Sequence, residues 1–490
     1  MRSVLPSTPW KLAGFVAGLL AYALLAFLDT PLRNSPEWGA RPAYAAAGAA
    51  LMAIWWLTEA VPIYWTACVP LVVFPLTGVF GEDNLRQAVL PYLDPYIFLF
   101  AGGMGIAAAM QQWNLHRRIA LGIMNAIGTD PRRLLAGFLA ATAFISLWIS
   151  NTATAAMMMP IGIAVILQIE DQIGGRRLVH YGMAIMLSIA YGANVGGLGT
   201  KIGTAPNAQF SGFMERQGVS ISFLEFMAVG LPFVLVFLPI VWWMLWRIGR
   251  KDELTGEVGA DVVQDELAKL GPVRRPERIV LGVFLVTAAL WIAGKWLTSI
   301  LAPRVTAFDL TSAHVEGGIA VLAALVLFLW WTGGRQVLSL PALAKVPWET
   351  LLLLGGGFAM AAAIQKSGLS GILSAQLQAV RGLTPFGQVL VASVACVALS
   401  AVASNTATIA VMLVVLNDAV DPGIKTTVLF AATIAASCDF ALPAGTPPNA
   451  IVFGSGYVTI PRMARTGVVL DLLAALFAAG WCWLIVRWVL

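Results

Sequence analysis

Two identical polar pentapeptides interrupt apolar stretches of this chain. The sequence Ser-Asn-Thr-Ala-Thr occupies 150–154 and again 404–408, and each copy is followed by Gly-Thr-x-Pro-Asn, at 203–207 and 445–449. The oxygens of Ser, Thr and Asn side chains suit a hard monovalent cation such as Na⁺, while their N–H and O–H groups suit a carboxylate. Two such half-sites facing each other would hold a small polar solute together with its ions.

The Gly-Thr-x-Pro-Asn sequences predict breaks in helices, because Pro lacks an amide donor and Gly permits unusual dihedral angles. Helix N-termini at such breaks carry partial positive charge and favour anions. The simpler alternative is that each Ser-Asn-Thr only caps the helix that follows it. The paired recurrence of motif and break favours a binding site.

The composition places the chain in a lipid bilayer. It has 490 residues, 59% of them hydrophobic, 11% charged, and a mean hydropathy of +0.82, whereas soluble domains carry about 25% charged residues. Apolar windows long enough to cross a membrane fall near 10–28, 42–60, 61–80, 95–112, 179–199, 223–247, 278–298, 315–333, 348–366, 424–442 and 466–488.

Two further apolar stretches, 134–168 and 386–418, carry the Ser-Asn-Thr motifs at their middle. Each arm, such as 134–149, spans only about 24 Å as a helix, so both stretches are interpreted as re-entrant hairpins, which are tolerated where they face protein or a wet cavity. The sequence therefore predicts an all-α polytopic membrane protein with about eleven transmembrane helices and two re-entrant hairpins.

An internal duplication divides the chain. Residues 101–115 align with 355–369 at an offset of 254, the same offset that relates the two pentapeptides. We predict an N-terminal helix at 1–41, a first repeat at 42–248 with a hairpin at 134–168 and a broken helix at 179–207, a charged cytoplasmic linker at 249–278, and a second repeat at 279–490 with a hairpin at 386–418 and a broken helix at 424–457. An odd number of passes per half makes the repeats inverted, an arrangement typical of secondary transporters.

The basic residues follow the predicted loops. Nineteen of the thirty Lys and Arg fall on one side when the N-terminus is inside, which predicts a cytoplasmic N-terminus in the inner (plasma) membrane. The first apolar run lacks a small-x-small cleavage site and resembles an uncleaved helix. The net charge of +5 is thus explained by topology and indicates no nucleic-acid partner.

Other functional classes find little support in the sequence. The three histidines lie in predicted loops, with neither His-Glu-x-x-His nor Gly-x-Ser-x-Gly, so we expect no enzyme. The chain has no phosphate-binding loop for an ATP-driven pump. A channel remains an alternative, but broken helices around one compact polar site favour occlusion over a continuous pore.

Three segments resemble the divalent anion/sodium symporter family. They are Trp-Leu-Thr-Glu-Ala-Val-Pro at 56–62, Leu-Gly-Gly-Gly at 354–357 and Leu-Pro-Ala-Gly-Thr-Pro-Pro-Asn-Ala-Ile-Val-Phe-Gly at 442–454, and the resemblance runs along nearly the whole chain. It implies Na⁺-coupled symport of dicarboxylates such as succinate, malate or fumarate, by a homodimer with a static scaffold and a moving, elevator-type transport domain. Tricarboxylates, sulfate and Na⁺-independent exchange stay open as alternatives.

The resemblance also implies roles for individual residues. Substrate carboxylates would meet Asn151, Thr152, Asn405, Thr406 and Thr446. A first sodium site would use Ser146, Ser150, Asn151 and the Gly203 carbonyl. A second would use Ser400, Asn405 and the carbonyls of Ala403, Gly445 and Pro447.

Lys201 departs from the family, which usually has an uncharged residue two positions before Gly203. One hypothesis is that its buried ammonium replaces a coupling cation, which would favour sodium-independent exchange. The other is that it reaches an interface or pairs with a carboxylate, for which Asp439 is the candidate. Ala205 stands where the second repeat has the first Pro of the 447–448 pair, which leaves one more amide donor in the first turn, and we expect the site to be tuned differently and not lost. Glu59 is interpreted as structural.

Overall fold

The structure is a computed structural model that describes residues 8–254, 260–305, 309–376 and 378–490. It consists almost entirely of helices. Those of the N-terminal half are α1 (Pro9–Phe27), α2 (Arg41–Thr58), α3 (Ile63–Thr66), α4 (Val69–Thr77), α5 (Asn84–Val89), α6 (Pro95–Gln112), α7 (Leu115–Ile127), α8 (Pro131–Ser146), α9 (Asn151–Gln172), α10 (Tyr181–Gly196), α11 (Ala205–Arg216) and α12 (Phe223–Gly249).

The C-terminal half has the same character. Its helices are α13 (Ala260–Leu270), α14 (Arg275–Ile292), α15 (Gly294–Leu301), α16 (Ser312–Leu329), α17 (Leu340–Leu343), α18 (Glu349–Lys366), α19 (Leu369–Gln376), α20 (Gln378–Arg381), α21 (Pro385–Ser400), α22 (Asn405–Ala419), α23 (Lys425–Ser437), α24 (Pro447–Phe453) and α25 (Ile460–Val489). Strands β1 (Trp331–Thr332) and β2 (Arg335–Gln336) form a short antiparallel hairpin. Single 3-10 turns occupy Leu90–Leu93, Gly197–Gly199, Arg250–Asp252, Ala302–Arg304 and Pro422–Ile424.

Each predicted apolar window coincides with helical structure. Within the described residues, seven helices are long and apolar enough to cross a membrane, and eight if α14 and α15, bent by 68°, count as one span. The other windows form shorter or less apolar helices. The window 61–80, for example, is divided into α3 and α4 next to Pro70, which occupies the first turn of α4.

The outer surface is apolar, as a bilayer requires. Leu76 is 82% exposed and Trp488 is 89% exposed. Helix α1 buries only three small residues, whereas every residue of α10 is buried. The chain is therefore a multi-pass membrane protein with α10 at its centre.

Each Ser-Asn-Thr motif lies at the break between two packed helices. Helix α8 ends at Ser146 and α9 begins at Asn151, while α21 ends at Ser400 and α22 begins at Asn405. The arms of each pair contact each other and extend over 131–172 and 385–419, slightly beyond the predicted hairpins. The predicted broken helices also stop as expected, α10 before residue 197 and α23 before residue 438.

The two repeats interlock around these breaks. The first arm of each hairpin packs on the helix that precedes the break of its own repeat, α8 on α10 and α21 on α23. The helix that follows each break instead packs on the hairpin of the other repeat, α24 on α9 and α11 on α22. The centre of the molecule is therefore built jointly by both halves.

Ion pairs anchor the predicted linker to the first repeat. Glu266 on α13 pairs with Arg117 on α7. Arg118 on α7 pairs with Glu277 at 2.7 Å and donates to the Gly271 carbonyl at 3.0 Å. Residues 255–259 of the linker lie outside the described part of the chain.

Candidate functional site

Both hairpin tips and both helix breaks line one cavity of about 480 Å³. Small-molecule sites in proteins occupy about 300–1,000 Å³. The polar residues at its wall are Ser150, Asn151, Thr152, Asn194, Thr204, Thr350, Ser404, Asn405, Thr406 and Thr446, joined by Gly203, Gly445 and Pro447. The charged residues among the described lining are Glu59 and Glu349, with no lysine or arginine. A dianion here must therefore be balanced by neutral donors, helix N-termini or bound cations.

An asparagine closes each helix break in the same way. Asn207 donates through Nδ2 to the carbonyls of Gly197, at 2.9 Å, and Thr200, at 2.7 Å. Asn449 donates to the carbonyls ten and seven residues before it, at 3.1 and 3.0 Å. These side chains supply donors that the interrupted helix no longer provides to its last carbonyls, so each Gly-Thr-x-Pro-Asn turn is held in one shape.

The first repeat places a cluster of polar atoms behind its hairpin tip. Ser146 Oγ lies 2.8 Å from the Ala193 carbonyl oxygen. One terminal amide atom of Asn151 lies 2.8 Å from Ser146 Oγ and 3.2 Å from the carbonyl oxygens of Ala193 and Gly203. With nitrogen at this position the amide donates to its neighbours, and with oxygen there four oxygens converge as a cation would require.

The second repeat reproduces this cluster. Ser400 Oγ lies 2.7 Å from Asn405 Oδ1 and 2.6 Å from the carbonyl oxygen of Ala436. Gly445 and Pro447 line the adjacent cavity wall. Ala403 is buried in the tip of the hairpin, two residues before Asn405. The donor set is hydroxyl, amide and carbonyl oxygen, which suits Na⁺ in both repeats.

Capping does not account for the Ser-Asn-Thr motifs. Ser150 and Ser404 stand at the N-cap positions of α9 and α22, yet neither side chain accepts a capping hydrogen bond. Both residues line the cavity instead. The simpler interpretation of the motif as a pair of helix caps is therefore wrong for the hydroxyls.

The threonines at the cavity differ in their bonding. Thr446 Oγ1 accepts hydrogen bonds from the Asn449 amide at 3.3 Å and from Asn194 Nδ2 at 3.1 Å, which leaves its proton free to donate. Thr152 and Thr406 lie in the first turns of α9 and α22 and line the cavity. All three hydroxyls thus stand beside the helix N-termini that favour an anion.

Lys201 pairs with Glu316 and not with Asp439. Its Nζ lies 2.7 Å from Glu316 Oε2, and both side chains are fully buried. Glu316 Oε1 accepts from the Phe223 amide at 2.6 Å, and the ring of Tyr96 lies 5.0 Å from the ammonium. The proposed Lys201–Asp439 pair is wrong, because the lysine side chain reaches a carboxylate on α16 of the other repeat.

Several residues at the site escaped the sequence analysis. Asn194 lines the cavity and donates across the repeats to Thr446 and to the Asp439 carbonyl, at 3.1 Å each. Its signal is an amide inside an apolar window, which is costly unless it is used. The carbonyls of Ala193 and Ala436 have no signal in the sequence, because any residue type carries one.

The chain matches a known protein family along most of its length. The family model described as the sodium:sulfate symporter transmembrane region matches residues 17–489. The chain belongs to the sodium:sulfate symporter family. The resemblance to divalent anion/sodium symporters is thereby confirmed, and membership of the sodium:sulfate symporter family indicates a transporter.

Named relatives within the sodium:sulfate symporter family match along almost the full length. The sodium-dependent dicarboxylate transporter SdcS of Staphylococcus saprophyticus is 36% identical over 476 residues, covering 95% of this chain and 89% of that protein. SdcS of Staphylococcus aureus is 35% identical over 479 residues, covering 95% of this chain and 90% of that protein.

A solved structure has a fold similar to that of this chain. It is the crystal structure of the Alcanivorax borkumensis YdaH transporter, described as having an unusual topology. The TM-score is 0.55 at 15% identity, and the match covers 87% of this chain and 97% of that chain. At this identity the likeness concerns the fold alone.

Proposed function

We propose that this protein is a secondary transporter that carries a small dicarboxylate such as succinate, malate or fumarate together with Na⁺. The observation that carries the proposal is the single cavity lined by both Ser-Asn-Thr motifs and both helix breaks. The names of the relatives agree with this cargo and this coupling ion.

The charges at the cavity support coupling to a cation. A dicarboxylate brings two negative charges into a space whose described lining holds two glutamates and no basic residue. Helix N-termini and neutral donors offset part of this charge. Bound Na⁺ supplies the rest, so substrate and cation bind better together than apart, which is the physical basis of symport.

The proposed sites follow the two polar clusters. Substrate carboxylates accept hydrogen bonds from Asn151, Thr152, Asn405, Thr406 and Thr446. The first Na⁺ is held by Ser146, Ser150, Asn151 and the Gly203 carbonyl, and the second by Ser400, Asn405 and the carbonyls of Ala403, Gly445 and Pro447. The carbonyls of Ala193 and Ala436 are added to these sets because each lies within 2.8 Å of a serine hydroxyl in its cluster.

Membrane orientation is part of the proposal. Glu59 at the end of α2 and Glu349 at the start of α18 lie at the cavity. The distribution of Lys and Arg favours the cytoplasmic side of the plasma membrane for both helix ends. The cavity then represents the inward-facing state of an alternating-access cycle. A homodimer embedded in lipid is the proposed assembly.

The ion pair of Lys201 weighs against Na⁺-independent exchange. A lysine that replaces a coupling cation must offer its charge to the site, whereas Glu316 already neutralises this ammonium at 2.7 Å. Lys201 is therefore proposed to be structural, joining the first helix break to α16.

Transport in proteoliposomes tests the proposal. Labelled succinate uptake is measured under an inward NaCl gradient and under a matched choline chloride gradient, with malate, fumarate, citrate and sulfate as competitors. We expect uptake only with Na⁺ and competition by four-carbon dicarboxylates. Equal uptake under both gradients, with stimulation by internal succinate, would instead show exchange, and competition by sulfate alone would show an inorganic cargo.

A further inference from the structure

Asp439 occupies a position where the first repeat has a glycine. Asn207 and Asn449, which close the two helix breaks, are equivalent. Each donates to the carbonyl ten residues before it, and this carbonyl belongs to Gly197 in the first repeat and to Asp439 in the second. The accepting carbonyls of Gly197 and Asp439 are therefore equivalent, and the second repeat carries a carboxylate side chain where the first has none.

In the first repeat, a side chain at this position would point toward the hairpin asparagine. A Cβ added to Gly197 would meet the amide of Asn151, whose Cγ lies 3.2 Å and Nδ2 3.3 Å from it. In the second repeat the carboxylate of Asp439 lies against Gly445, where a Cβ would collide with its oxygens. Gly445 provides one of the carbonyls assigned above to the second cation site, so the carboxylate lies against a residue of that site.

Among the described residues, no basic side chain forms an ion pair with the carboxylate of Asp439. The residue is fully buried, and neither oxygen has a hydrogen-bond partner of regular geometry in the described part of the chain, although the Ala441 amide is nearby. The ammonium of Lys201 is occupied by Glu316. A buried, unpaired carboxylate is costly, and a bound cation removes that cost.

The neighbouring acid, Asp471, forms a hydrogen bond with the backbone. Asp471 on α25 accepts a hydrogen bond from the Phe440 amide at 2.8 Å. It thereby holds the backbone that follows Asp439 and is accounted for by that contact. Asp439 is the buried acid at this break whose oxygens are left for a ligand.

We propose that Asp439 is a charged ligand of the second cation site, an inference that rests on the Na⁺ coupling proposed above. The second site then combines a carboxylate with the oxygens of Ser400, Asn405 and Ala436, while the first site has neutral ligands only. The two sites are therefore unequal, and the second one binds Na⁺ more tightly and fills at lower Na⁺ concentration.

Sodium-dependent thermal stabilisation of the purified full-length protein tests this without transport. Melting is followed by tryptophan fluorescence while NaCl replaces choline chloride at constant ionic strength. Asp439→Asn keeps the shape and removes the charge, and Asp439→Gly restores the residue of the first repeat. Asp418→Asn is the matched control, because Asp418 is also a buried acid, at the end of α22 and away from the cavity lining.

We expect both Asp439 variants to raise the NaCl concentration for half-maximal stabilisation by at least about tenfold, as loss of one partner of a buried charge pair does. Asp418→Asn should leave it within about twofold of the native protein, which is below 0.5 kcal/mol of binding energy. Unchanged half-maximal NaCl in either Asp439 variant would overturn the inference while leaving Na⁺ coupling intact. A native protein without any response to NaCl would overturn the proposed coupling and this inference with it.

Discussion

Lys201 Nζ lies 2.7 Å from Glu316 Oε2, with both side chains fully buried. The pair joins the break between α10 and α11 of the first repeat to α16 of the second. Two opposite charges inside a membrane protein are tolerated only together, because each compensates the desolvation of the other.

Breaking this pair should destabilise the protein without changing its use of sodium. Lys201→Met and Glu316→Gln each leave one partner alone, and we expect a loss of about 3–5 kcal/mol, the range for broken buried pairs. The double variant should recover much of that loss. Denaturation in detergent measures the stabilities, and sodium-dependent uptake measures the coupling.

The pair of the exposed Lys295 and the half-buried Glu225 is the control for this cycle. Lys295 is 72% exposed in its side chain, so Lys295→Gln should cost no more than about 1 kcal/mol. A stable Lys201→Met variant with a higher sodium requirement would return the lysine to the role of a tethered cation.

The serines behind the hairpin tips should control sodium affinity. Ser146→Ala and Ser400→Ala each remove a hydroxyl from a polar cluster, and we expect the NaCl concentration for half-maximal uptake to rise at least about tenfold, equivalent to about 1.4 kcal/mol. Ser393→Ala is a matched control on the same helix as Ser400, since its hydroxyl donates within the helix to the Val389 carbonyl at 2.9 Å. Equal sodium dependence in Ser400→Ala and Ser393→Ala would remove Ser400 from the cation site.

The hydrogen bonds donated by Asn207 and Asn449 should contribute to the stability of the protein. Asn207→Asp and Asn449→Asp keep the shape but replace the donating NH₂ group by an acceptor, so two carbonyls lose their partner and we expect a loss of about 1–3 kcal/mol each. Asn84→Asp is the control, because Asn84 acts as an acceptor for the Phe80 amide at 2.8 Å, and aspartate can do the same. Thermal unfolding of the three variants measures the stability of each. A loss of stability in Asn84→Asp as large as in the other two would show a general effect of the added charge.

The two turn threonines should respond unequally to the same change. Thr446→Val removes an acceptor used by Asn449 and Asn194, whereas the Thr204 side chain makes no capping hydrogen bond. We expect Thr446→Val to lose about 1–2 kcal/mol of stability and to raise the KM for succinate, and Thr204→Val to remain close to native stability. Equal effects would mean that neither the bond from the Asn449 amide nor the cross-repeat bond from Asn194 contributes to stability.

The sequence predicts the architecture because two patterns are strong. Apolar windows locate the helices, and the recurrence of Ser-Asn-Thr with Gly-Thr-x-Pro-Asn locates the breaks, since a polar residue or a proline in such a window has few structural alternatives. What the pattern does not contain is the partner of each group. Glu316 is 115 residues from Lys201 along the chain, and the two come together because α6 packs on both α16 and α11.

The residues that line the cavity are also only partly predictable from the sequence. Asn151 and Asn405 are evident from the repeat, but the amide of Asn194 reaches the opposite break because α10 contacts α24. Helix-to-helix contacts across the repeats are not encoded in a local period. The histidines show it on a smaller scale: His116 and His314 lie within α7 and α16, not in loops, because short polar stretches can begin a helix as well as connect two.

The interlocking of the repeats sets an order of events during synthesis. Helix α9 is covered by α24, and α11 is covered by α22, so each early element waits for one that the ribosome makes much later. The first hairpin enters the bilayer with its amide and hydroxyl groups still without their final neighbours. A nascent chain that ends before Pro447 already contains most of its spans, but the cavity that would enclose a solute is still incomplete.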